Sequence, residues 1–117
     1  MMRFEITHKI TAKDSTNISY AGQHWSKRKN TADYWHQLVM VEMRRQLPKH
    51  LHDKPVMITI SYNSGLDIDN HSSISKQIID GMKGYLLHDD TRKYVQCLIQ
   101  KFHEGSKDKI IVEVTEV

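Results

Sequence analysis

The stretch "LDIDNHSSISK", residues 66 to 76, sets Asp67 and Asp69 on either side of one isoleucine. In extended backbone, residues i and i+2 point to the same side with Cα atoms roughly 6.5–7 Å apart, so two carboxylates so spaced can converge on one ion. A second acidic pair, Asp89 and Asp90, stands further along the chain. Adjacent residues of an extended segment diverge, so one of these two is expected to face a shared site. Three carboxylates brought together without a cation would leave one of them protonated. Mg²⁺, with Mn²⁺ as the alternative, resolves that conflict: it takes hard oxygen ligands and keeps positions for water and phosphate. An ion so held aligns water for attack on a phosphodiester.

Plainer readings stand beside this one. An Asp-x-Asp pair in a loop is most often a solvated turn. An EF-hand fits poorly, because the sixth loop position lacks Gly and the twelfth lacks Glu. Lys76 is spaced to pair with Asp80 along a helix, or to hold the charge of a scissile phosphate. Asn70 and His71 follow the first acidic pair and His88 precedes the second. Each histidine could act as a base or a phosphate donor, though a surface histidine is the commoner outcome. His50-x-His52 could bind metal, but it follows Pro48 in a loop and no third ligand is evident. In "HWSKRKN", Lys27, Arg28 and Lys29 adjoin Trp25. Such a run contacts phosphates while the ring stacks on a base. Its plainer form is a solvated loop anchored by Trp25.

These residues need a frame. Alternation of Phe4, Ile6, His8 and Ile10 predicts a strand over residues 2 to 10. Residues 11 to 29 show no period and read as a long loop. Thr31 is the expected N-cap of a helix that places Trp35 and Met43 in the core and closes before Pro48. Glu42 interrupts its apolar stripe. A second strand over 55 to 62 leads through a turn to the acidic pair. A second helix, capped by Ser72 or Ser73, buries Ile74, Ile78, Ile79, Met82 and Leu86 and leaves Lys76, Asp80 and Lys83 on its polar side. Strands over 92 to 102 and 109 to 115 follow, close enough for a hairpin. The order β-α-β-α-β-β predicts a single small α+β domain, a mixed sheet with helices packed on it.

The bulk properties agree with this. A chain of 117 residues supports one core without staples. Net charge +3 and a pI near 9.0 are compatible with nucleic acid. One cysteine, Cys97, excludes an internal disulfide and a Cys-based zinc cage. No apolar run spans a bilayer, and "MMRFEITHKI" lacks a secretory core, so a cytoplasmic protein is expected.

Taken together, "LDIDN", Lys76-"QII"-Asp80-"GM" and "LLHDD" resemble the RusA family of Holliday-junction resolvases, common in phages and prophages. The resemblance spans most of the chain, including an early loop with Asn17, but its specific part is residues 67 to 90. It implies metal-binding carboxylates at Asp67, Asp69 and Asp90, with Asp89 adjacent, and a catalytic lysine at Lys76. It also implies a homodimer that cuts four-way junctions symmetrically, in a bacterial or phage-infected cell. One departure is that Lys76 follows Asp69 by seven residues where the family lysine follows by four. Three extra residues are therefore expected within "HSSIS", before or at the helix start. The competing expectations are a non-catalytic DNA- or RNA-binding phage accessory protein and a nuclease for other branched DNA.

Overall fold

A computed structural model describes residues 1–16 and 25–117, with side chains from residue 29 onward in the second segment. Its elements are β1 (Met2–Thr7), α1 (Trp25–Gln46), β2 (Val56–Tyr62), α2 (Ser72–Met82), β3 (Val95–Phe102) and β4 (Lys109–Glu116), with 3-10 turns at Ala12–Asp14 and Ile68–His71. The α+β architecture is as expected: one four-stranded mixed sheet, in the order β1-β4-β2-β3, carries both helices on one face.

That face follows from period two in the strands and period 3.6 in the helices. Phe4 and Ile6, then Val56, Ile58, Ile60 and Tyr62, then Ile110, Val112 and Val114 are all buried. Trp35, Val39 and Met43 of α1 and Ile74, Ile78 and Met82 of α2 close over them. The helices meet at Gly81, where an added Cβ would lie 2.9 Å from Val39 Cβ. Only a residue without a side chain lets α2 come that close.

Several expected boundaries move. α1 begins at Trp25, so Thr31 lies inside it rather than capping it. The polar run "SKRKN" shows no apolar period, yet it contains neither Gly nor Pro, and Lys and Arg are good helix formers. Glu42 does not break the buried stripe: it is buried with it, and its Oε1 accepts from Arg45 Nε and Nη2 at 3.1 and 3.0 Å. α2 stops at Met82, whose carbonyl accepts from the amides of Tyr85, Leu86 and Leu87. β3 starts at Val95, because the amides of Tyr94 and Val95 both donate to Thr91 O in a turn.

The expected β3–β4 hairpin is replaced by a crossover. β3 pairs with β2 in parallel, while β4 runs antiparallel between β1 and β2. β4 alternates Ile110, Val112 and Val114 and is best buried at the centre of the sheet. β3 carries Gln96, Gln100 and Lys101 and tolerates an edge. Of the basic run, Trp25, Lys27 and Arg28 stand in the first turns of α1, and Lys29 is exposed. Asn17 lies outside the described residues.

Candidate functional site

β2 delivers the chain to the acidic turn. Asp67 is extended, with φ −64° and ψ 155°, but Asp69 lies within the 3-10 turn, so the two do not share the extended geometry expected of them. Both are exposed. His71, expected at the surface, is instead buried beneath the turn and stacks on Tyr62 with ring centroids 4.3 Å apart. Its Nδ1–H donates to the carbonyls of Asp67 and Ile68 at 2.9 and 3.2 Å, and its Nε2 accepts from the Ser64 hydroxyl at 2.7 Å. Burial lowers the pKa of His71, outweighing the two carbonyls that favour its charged form. The neutral imidazole thus pins the backbone that presents Asp67.

Further hydrogen bonds fix the start of α2. Ser72 Oγ donates to Asp69 O at 2.8 Å, and Ser73 N donates to Thr16 Oγ1 at 3.0 Å. Ser75 Oγ joins Tyr62 OH and Gln100 Oε1, each at 2.6 Å. Of the "HSSIS" stretch, His71 precedes the helix and Ser72 to Ser75 form its first turn. The stretch thus lies before and at the helix start.

A second group forms past the other end of α2. Lys83 Nζ reaches Asp90 at 3.1 Å, Asp80 at 3.2 Å and Asp89 at 3.8 Å. Asp89 and Asp90 thus turn toward one cation rather than diverging, and Asp89 Oδ1 accepts from the Asp90 amide at 2.8 Å. The Lys83 hydrogen bond holds the Asp90 carboxyl below its usual range, and Lys83 itself is raised by Asp90 and Asp80 against a partial desolvation. Lys76 makes the plain helical pair with Asp80 at 3.4 Å. It also lines, with Ser72, Ile79, Asp90, Val95 and Leu98, a groove of about 210 Å³ between α2 and β3.

Asp90 lines this groove and Asp69 adjoins it through Ser72, but the acidic groups do not meet within one chain. Asp67 and Asp69 follow the C-terminal end of β2, and Asp89 and Asp90 precede the N-terminal end of β3. Because β2 and β3 are parallel, those are opposite ends of the sheet. The 11-residue α2 between them is roughly 16 Å long at 1.5 Å per residue. One chain alone therefore does not offer the three-carboxylate cage that Mg²⁺ would need. Among the described residues, the group of three whose ligand atoms lie within 4.8 Å of one another is His50, His52 and Glu116. His88 is exposed and pairs with Asp53 at 3.0 Å, an ordinary surface histidine.

Two residues were not singled out by sequence reasoning. Lys83 is spaced from Asp80 like any helical ion pair, and its contact with Asp89 and Asp90 needs the return of the chain after Gly84. Glu116 is distant in sequence from His50 and His52 and carries no local signal. No helix of the described residues is long and apolar enough to cross a membrane. Comparison of the chain with protein-family models, with curated proteins and with solved structures returned no match.

Proposed function

We propose that the protein is a metal-dependent endonuclease of the RusA type that acts on branched DNA as a two-fold dimer. The observation that carries this reading is a groove on the open β3 edge lined by Ser72, Lys76 and Asp90, with Ser72 bonded to Asp69 O and Asp90 paired with Lys83. A second copy makes the arrangement functional. When two β3 strands pair antiparallel about an axis at Leu98, Gln96 stands opposite the partner's Gln100 and Cys97 opposite the partner's Ile99. Just beyond, Tyr94 meets the partner's Phe102 and Arg92 meets the partner's Glu104, an apolar and a charge-complementary pair. Antiparallel pairing sets the Asp67–Asp69 end of one protomer beside the Asp90 end of the other. Asp67 and Asp69 of one chain with Asp90 of the other would then hold Mg²⁺ or Mn²⁺, which supplies activated water and charge stabilisation at the phosphate. Lys76 lies along the same groove, placed to hold a phosphate. Two such sites related by a two-fold axis suit a four-way junction.

The test uses a labelled four-way junction and linear duplex, with Mg²⁺ and with EDTA. Paired, metal-dependent nicks in opposite arms are expected. Asp69→Asn and Asp90→Asn each abolish cutting while binding persists. Mixed dimers of the two variants regain one intact site and nick a single strand. No recovery on mixing would refute the shared site, and wild-type cutting by Asp69→Asn would remove that residue from it. A second reading, a non-catalytic nucleic-acid-binding protein, draws on the separation of the carboxylates within one chain. It predicts junction binding with no cuts under either metal.

A further inference from the structure

The end of the sheet where β2 begins and β4 finishes holds a different set of donors. His50 and His52 stand two apart in a segment that follows α1, and Glu116 ends β4. Their imidazole nitrogens and carboxylate oxygen lie within 4.8 Å of one another. They share the wall of a cavity of about 540 Å³ with Met2, Pro48 and Val114.

The segment is fixed before any ion arrives. His50 N donates to Tyr85 O at 3.1 Å and His52 N donates to Leu86 O at 3.2 Å. The His52 ring is buried, and its Nδ1–H donates to Leu86 O at 2.9 Å. That bond fixes the tautomer and leaves the Nε2 lone pair free. A backbone carbonyl orients metal-binding histidines in this way. The two rings stand edge to face with centroids 4.6 Å apart. His50 and Glu116 are exposed, so each can turn by the small amount needed to close on an ion. On the other side, Val117 N donates to Pro55 O at 3.0 Å and ties the end of β4 to the same loop.

We propose that His50, His52 and Glu116 form a Zn²⁺ site. Two imidazoles and one carboxylate are the donors a borderline divalent ion selects, whereas Mg²⁺ prefers an all-oxygen set. Three protein ligands leave a fourth position facing the cavity, to be taken by water. The ion joins the loop after α1 to the end of β4. It is independent of the carboxylates assigned to DNA cleavage.

The test is Zn²⁺ titration of the metal-free protein by calorimetry, with Co²⁺ absorption as a second probe. One ion per chain is expected, with the visible bands of four-coordinate Co²⁺. Saturating Zn²⁺ should raise the melting temperature by roughly 5–10 °C. His50→Ala and Glu116→Gln change exposed residues and should keep the fold by circular dichroism. Each should weaken binding at least roughly tenfold and remove the thermal shift, while Asp69→Asn leaves both unchanged. No saturable binding, or binding and thermal shift of wild-type size in both variants, overturns the site.

Discussion

The sheet has two edges, and the molecule treats them differently. At β1, Gln46 of α1 acts as a substitute strand: its Oε1 accepts from Glu5 N at 2.8 Å and its Nε2 donates to Glu5 O at 2.7 Å. One side-chain amide thus satisfies both main-chain groups of Glu5, in the middle of the edge where another strand would add. At β3, among the described residues, no side-chain hydrogen bond reaches the strand's main chain. Leu98, Ile99 and Phe102 are 41%, 38% and 48% exposed there. An open edge with apolar side chains invites pairing, and natural proteins usually block it with charge, a bulge or a cover. Here one edge is blocked and the other is left open beside the acidic groups. The contrast fits the proposed dimer through β3, in which a blocked β1 edge would limit growth to the single pairing a closed two-fold assembly needs.

The largest effect expected is at the open edge. Leu98→Lys sets two like charges opposite each other at the proposed axis. It should convert a dimer to a monomer in analytical ultracentrifugation and reduce junction cleavage to background, with the far-UV spectrum unchanged. A dimer that survives would separate β3 from the interface. At the closed edge, Gln46→Ala leaves both main-chain groups of Glu5 without a protein partner. A loss of about 1–2 kcal/mol in urea unfolding is expected, with dimerisation unaltered at first. New higher oligomers in this variant would show directly that the amide blocks strand addition.

A smaller effect concerns the imidazole behind the open edge. His71 is depressed in the folded protein from its ordinary 6.5, so the unfolded chain takes up the proton first as pH falls. Its stabilisation is complete above that value and is lost as pH drops toward the folded-state pKa. Between pH 7.5 and 5, wild type should lose more urea stability than His71→Gln, and equal losses would dismiss the linkage. Smallest is Lys83→Met, which should let the Asp90 carboxyl titrate nearer its unperturbed value of about 3.9, read by carboxyl NMR. An unmoved titration would mean that Lys83 does not set that charge.

Much of this was written locally. The alternation of Val56, Ile58 and Ile60, the spacing of Trp35, Val39 and Met43, and that of Ile74, Ile78 and Met82 define strands and helices by period alone, and each of these residues is buried. The Lys76–Asp80 pair was equally legible, since residues four apart on a helix are neighbours. The start of α1 was not, because a polar helical run has no apolar period to mark it.

Other features depend on how distant segments return to one another. Whether β4 pairs with β3 or enters between β1 and β2 is set by which apolar face the helices can cover, a property of the whole sheet. His71 is polar in sequence and buried in the fold because Tyr62 supplies a stacking face and Ser64 a hydroxyl from the end of β2. Asp89 and Asp90 reach Lys83 because the chain turns back after Gly84, and Glu116 reaches His50 and His52 only after the chain has crossed the sheet. By itself, the sequence determined the elements and the kinds of donor this protein carries, since period and residue type act over a few neighbours. Only the tertiary structure decided which donors meet, because a metal or phosphate site depends on distances of a few ångströms between residues far apart in the chain.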